Sequence, residues 1–302
     1  MANKTGNAAS KTAQVAVEEL TTALGEARKQ LTAEVKVRRD VIKPMEVALR
    51  ALKDPHRNAL ALYEAAVALE NPNGDFILPK SYATTAAELR AFADEQLSEL
   101  EFTFARDLRE AFKEKGVDLT GPPTKLVADL FVIEPDLRKK QVYITFSRQS
   151  VTAKKIKLDV VQVLSTYERA RREICERKID LDALLAELFE AYQRLLTLSG
   201  KKPGARLSIV DCYRELVLIR QPLAFRKNPS KNSFTDYPKT HFAYDMLELR
   251  RQRKLNHQGQ QLNFSVATID VGSDSTRAMF LATSATEGQF IKELYFAQEK
   301  SS

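Results

Sequence analysis

A chain of 302 residues with 44% apolar side chains carries enough material for two folded domains with buried cores, and no apolar run approaches the roughly 20 residues that span a bilayer. Ten glycines and two cysteines make Gly-rich cofactor cradles scarce and give no basis for a disulfide scaffold. Forty-seven Lys and Arg against forty acids leave a net charge of +7, so the charge distribution is where a partner should first show itself.

The opening residues, MANKTGNAASKTAQ, are polar and hold no apolar signal core, so a cytoplasmic protein is expected. Cys175 and Cys212, each on a predicted helix, suit a reducing compartment. Val17, Leu20, Leu24, Ala27, Leu31, Val35, Ile42, Met45, Leu49 and Leu52 follow steps of three, four or seven, with Arg38 at the skipped place. That spacing predicts a long amphipathic helix or short coiled-coil seam bent near Pro44 and stopped by Asp54-Pro55. Arg57–Leu69 reads as a second helix, NPNGDFILPKS as a loop, and Thr84–Lys115 as a third long helix with Leu89, Phe92, Leu97, Leu100, Phe104, Leu108 and Phe112 along one side. Residues 1–115 are thus expected to form a helical bundle or coiled-coil arm. Residues 116–124, beginning GVDLTGPP, read as a linker.

After it, residues 125–180 read as a β-hairpin and a basic helix. Leu126–Ile133 and Gln141–Phe146 are rich in β-branched and aromatic residues, with a turn expected at Glu134-Pro135-Asp136. Asp159–Arg177 is the helix. Residues 147–178 hold nine Lys or Arg against four acids.

Residues 181–302 carry the main signal. Leu181–Leu198 has one apolar face and is stopped by Gly200 and Pro203-Gly204. Arg206–Ile209 has room for a short strand. Val210–Ile219 is the next helix, with Ser208 or Asp211 in or before its first turn, and Gln221-Pro222 ends it. A loop dense in Pro, Asn, Ser and Lys runs on to Thr240. Thr240–Lys254 is a third helix ending in Arg250, Arg251, Arg253 and Lys254, and strands Gln261–Val271 and Arg277–Thr283 follow, joined by GSDST as a hairpin. Helix, strand, helix, loop, helix and hairpin is the order of a winged helix-turn-helix, although the connection before the third helix is longer than that motif's. The fold class expected is therefore mainly α with small β: an N-terminal helical bundle or arm and a C-terminal winged-helix-like α+β domain.

Between residues 200 and 260, thirteen Lys and Arg face five acids, an excess of eight, so the remainder of the chain sums to −1. Such a block is the footprint of a phosphate-binding face; the plain alternative is a solvated basic surface. Arg250, Arg251, Arg253 and Lys254 would contact the duplex from the third helix, Arg226, Lys227 and Lys231 from the loop, and Arg277 from the hairpin.

Other motifs lack their context. Ile269–Phe280, IDVGSDSTRAMF, resembles the first phosphate loop of the actin, Hsp70 and sugar-kinase ATPases. That fold needs a second phosphate loop far downstream, and only 22 residues follow Phe280. The strand after Pro135-Asp136, Val142–Phe146 (VYITF), lacks the acid and Lys of a restriction-type nuclease strand. GKKPG at 200–204 lacks the length of a Walker loop. His56, His241 and His257 have no ligand partner at metal spacing. The sequence thus points to a non-enzymatic protein that binds nucleic acid, with duplex DNA favoured, without cofactor or metal. The N-terminal helices would serve a protein partner or self-association. Two rivals stand beside it: a protein-docking accessory subunit of a chromosome-organising or genome-defence ATPase complex, and an enzyme whose site is assembled only in space.

Overall fold

In the computed structural model the described residues are 5–72, 78–272 and 274–298, without the side chains of 5–21, 23, 269 and 270. The side chains of Val17 and Leu20 in the apolar stripe, and residues 73–77 of the expected loop 71–81, therefore fall outside what is described. With 52% helix and about 17% strand in antiparallel sheets the chain is of α+β class, and it divides into two compact units, 1–102 and 103–302.

The first unit holds α1 (Thr5–Ala51), α2 (Ala59–Glu70) and the first part of α3 (Tyr82–Glu114). The Asp54-Pro55 break expected after α1 is built as a turn, in which Asp54 Oδ1 accepts from the Arg57 N–H at 3.2 Å. The core is small-residue packing: Ala48, Ala51, Ala59, Ala65, Ala66, Ala86 and Ala93 are buried with Leu62, Leu69 and Leu97, which lets helix backbones approach closely. Tyr82 Oη donates to the Leu69 carbonyl at 2.8 Å and joins the start of α3 to the end of α2.

The second unit begins inside α3. Ala105, Leu108 and Phe112 belong to a single core that continues through Phe296. The stretch expected to be a linker is packed: Val117 and Leu119 are buried, Thr120 bridges Val127, and Arg109 Nη2 donates to the Gly121 carbonyl at 2.7 Å. Beyond it lies a four-stranded antiparallel meander, β1 (Leu126–Ala128), β2 (Phe131–Asp136), β3 (Gln141–Phe146) and β4 (Gln149–Ser150), where a single hairpin was expected. Pro135-Asp136 is not its turn. Pro135 pairs with Val142 inside β2, past the reach of β1, which ends opposite Ile133. A proline's missing N–H costs nothing on an edge without a partner. The turn follows at Leu137–Lys140, where Asp136 Oδ1 accepts from the Lys139 N–H at 3.0 Å.

Helix α4 (Val160–Ile174) is capped by the Asp159 carboxylate, which accepts from the Gln162 N–H at 2.7 Å. Helix α5 (Leu181–Ser199) closes on Gly200 in the left-handed conformation, φ 63°, as the Gly-Pro signal predicts. After β5 (Leu207–Ser208), α6 (Ile209–Ile219) starts on Ser208, whose hydroxyl accepts from the Asp211 N–H at 3.2 Å. The loop after Gln221 is not wholly irregular, since α7 (Leu223–Lys227) forms in it. Helix α8 (Lys239–Arg251) then leads to β6 (Asn256–His257) and β7 (Gln260–Val266).

The predicted hairpin across GSDST is corrected. Residues Ile269–Gly272 form a short helix, α9, and β8 (Met279–Ala282) does not pair with β7. Both flank β9 (Gly288–Gln298), which the sequence reading did not foresee: Ile291 lies opposite Val266 on one side and Met279 on the other, and Leu294 opposite Phe264 and Leu207. The hairpin is β8–β9, closed where the Thr283 N–H donates to the Glu287 carbonyl at 2.9 Å. The strand order is β5–β9–β7–β6.

Candidate nucleic-acid interface

Helix α8 was to present the contacts, so its surroundings decide what it can do. Seven of its thirteen residues are buried: Thr240, Phe242, Ala243, Asp245, Met246, Leu247 and Leu249. The rest of its surface is partly occupied by the preceding layer. The Tyr244 ring lies against Phe146 of β3, centroids 6.1 Å apart, and its hydroxyl donates to the Cys175 carbonyl at the end of α4 at 3.1 Å.

Beneath this contact sits a buried polar cluster. Asp245 is fully buried. Its Oδ1 accepts from the Arg177 guanidinium, and its Oδ2 accepts from Tyr237 Oη at 2.6 Å. Arg220 Nη1 stands 3.9 Å from the same carboxylate, stacks 4.3 Å over the Tyr237 ring and donates to Glu187 Oε2 at 2.6 Å. Burial raises the Asp245 carboxyl above its ordinary range, against the pull of Tyr237 and the two guanidiniums. Burial, then the Asp245 charge, also raises the Tyr237 hydroxyl. Burial and the nearby Arg177 charge push His241 down to about 4, so its ring is neutral at ordinary pH. The sequence reading missed this cluster. Its one local sign was an acid, Asp245, three residues after Phe242 and four before Leu249, on the apolar face of a helix.

The eight expected contact residues fall into two groups. At the C-terminal end of α8, Arg250 lies 4.4 Å over the Phe264 ring, and burial lowers its pKa. Arg251 pairs with Glu248 at 3.3 Å and Lys254 with Asp182 at 2.6 Å. Arg253 lies just past the helix with a left-handed backbone, φ 55°, exposed and without an acid at ion-pair distance among the described residues. The second group precedes α8. Arg226 and Lys227 are on α7, in a loop that Gln221 closes by donating to the Thr235 carbonyl at 3.0 Å. The Arg226 guanidinium donates to the Ile219 carbonyl. Lys227 and Lys231 are exposed, with no acid at ion-pair distance among the described residues. Arg277 is exposed, and the neighbouring Lys239 Nζ donates to the Ser275 carbonyl at 3.3 Å, which holds this turn at the start of α8. A helix of this length puts about 20 Å between the Arg277 turn and the cations at its far end.

The structure therefore brings Arg277 near the front of α8 and leaves Arg250, Arg251 and Lys254 engaged at the far end. Of the eight, Lys227, Lys231, Arg253 and Arg277 are the cations most open to a ligand. Among the described residues no helix is long and apolar enough to cross a membrane. No protein-family model matches the chain, and no curated protein or solved structure matches it either.

Proposed function

We propose that this is a non-enzymatic DNA-binding protein whose second unit is winged-helix-like and grips the duplex by its phosphates. The observation that carries the reading is charge: residues 103–302 hold thirty-four Lys and Arg against twenty-five acids, whereas residues 1–102 hold thirteen against fifteen. A polyanion would be attracted to the second unit alone. The succession α5, β5, α6, α8, β7, β9, with β9 between β5 and β7, supports the winged-helix comparison. A winged helix that reads sequence lays its third helix in the major groove. Here α8 keeps few free side chains, so contact falls to the phosphate backbone of the DNA, and Arg250, Arg251 and Lys254, already engaged, are left out of it.

The test is anisotropy titration of two duplexes of unrelated sequence at several salt concentrations. Affinity should fall with a log-log slope of about −0.9 per neutralised phosphate and differ little between sequences. Replacing Lys227, Lys231, Arg253 and Arg277 with Ala should weaken binding and flatten the slope by up to about four contacts' worth. Absence of duplex affinity at low salt would overturn the reading.

The docking-subunit alternative keeps one observation of its own, an exposed apolar stripe along α1. It predicts a protein partner for that helix whether or not the second unit binds DNA.

A further inference from the structure

Among the described residues α1 carries more exposed large apolar side chains than any other element. Leu24, Leu31, Val35, Ile42 and Leu49 are 71, 62, 63, 50 and 66% exposed on one helix. Helix α2 does not cover them. It packs on the neighbouring flank, where Val41, Ala48 and Ala51 are buried. Steps of 7, 4, 7 and 7 along these residues are the two apolar positions of a heptad: Leu24, Leu31, Met45 and Leu52 fall at one, Val35, Ile42 and Leu49 at the other. Two cations interrupt the seam, Arg28 and Arg38. Single exposed leucines are ordinary, but a seam sustained over four heptads is a helix-pairing surface.

The interruptions choose the occupant. A parallel pair in register would set Arg28 against Arg28 and Arg38 against Arg38 of the partner subunit, two layers of like charge. In an antiparallel pair, opposed residues have a constant sum of numbers. The sum 73 fills every layer from Leu24 to Leu49: Leu24 meets Leu49 of the partner subunit, and Leu31 meets Ile42 of the partner subunit. Arg28 then lies across from Met45 of the partner subunit, which is followed by Glu46 of the partner subunit. Arg38 lies across from Val35 of the partner subunit, which follows Glu34 of the partner subunit. Each interrupting arginine can thus lay its alkyl stem on an apolar side chain and set its charge on an acid. Arg28, Glu34, Arg38 and Glu46 are all exposed, and none is in an ion pair with a described residue.

We propose that α1 pairs with α1 of a second copy of this chain as an antiparallel two-helix coil centred between Lys36 and Val37. At each end, Leu24 of one chain comes to Leu49 of the other, beside an apolar groove lined by Met45, Leu52, Leu69 and Leu89. This deepens the assembly part of the proposed function and does not depend on DNA contact, so it is tested without nucleic acid.

Light scattering on the full chain should give twice 34.1 kDa at micromolar concentrations. Leu31→Asp should return the mass to that of one chain. Arg38→Glu and Glu34→Arg should each weaken the dimer, and the two together should restore it. Orientation is read by oxidation of Leu31→Cys and Ile42→Cys proteins. An antiparallel pair cross-links only in the mixture, because each introduced cysteine faces the other position. The native thiols give little background, since burial raises both Cys175 and Cys212 to about 12. A monomer at every concentration, or a Leu31→Cys protein that cross-links to itself, overturns the proposal. Either result leaves the duplex-binding test standing on its own.

Discussion

Asp245 concentrates the risk in this fold at one residue. A carboxylate with no solvent contact is tolerated because Tyr237 and Arg177 satisfy its oxygens, and removing one partner of a buried pair leaves the other's charge uncompensated. Arg177→Ala should therefore cost about 3 kcal/mol in denaturant unfolding, well beyond the effect of an exposed arginine such as Arg253. A loss no larger than that of Arg253→Ala would show that Tyr237 and Arg220 suffice for Asp245. His241 makes the same region sensitive to acid. Its folded pKa, about 4, lies below the ordinary 6.5, so the unfolded chain takes up the proton first. The histidine's contribution is complete above about pH 6.5 and is lost as pH falls toward 4. Asp245, shifted upward, acts in the opposite sense, so the clean comparison is wild type against His241→Gln. The variant should lose less melting temperature over that interval. Equal pH dependence in the two proteins would take the histidine out of the account.

At the level of elements, the β8–β9 hairpin depends on one close approach. A Cβ on Gly288 would stand 2.5 Å from the Leu281 carbonyl oxygen and 2.7 Å from Phe280 Cζ, distances that only backbone movement could relieve. The β3–β4 turn is built onto this hairpin: Ser147 Oγ donates to the Phe280 carbonyl at 2.7 Å and accepts from the Ala282 N–H at 3.2 Å. The Arg148 guanidinium also lies 4.4 Å over the Phe280 ring. Gly288→Val should accordingly destabilise both elements, on the order of 2–4 kcal/mol as for other forced core distortions. Amide exchange should show faster opening at Phe280–Ala282 and around Ser147 together. Faster exchange at β8 alone would mean that the two hairpins are not coupled.

For the second unit as a whole, α3 supplies the first turns of the core and residues 116–123 continue it. The consequence is testable by native-state hydrogen exchange: protection should run on through Val117, Leu119 and Thr120 to Leu126, the residues that are buried or bridged. Rapid exchange throughout that stretch, or preferential proteolysis within it, would restore the linker that its two glycines and two prolines suggest. Because one core joins the meander, α4 and the later helices and sheet, residues 103–302 should also melt in a single transition.

What the sequence determined by itself was local. The helices α3, α4, α5, α6 and α8 follow from a 3.6-residue apolar period, and their ends from Asp159, Ser208 and Gly200, because capping acts within one turn of the residue that performs it. Strand β9 escaped for an equally physical reason. The pairing with β7 passes from Glu293 directly to Ile291 and leaves Lys292 as a bulge, so the buried residues Ile291, Leu294 and Phe296 do not alternate and the period of two is broken. The basic residues were countable from the chain, but not their availability. Lys254 meets Asp182 across 72 positions, Arg177 meets Asp245 across 68, and Arg250 is spent on Phe264. Only the tertiary structure decides such pairings, because they depend on which distant elements share a core, and no periodicity in the sequence records it.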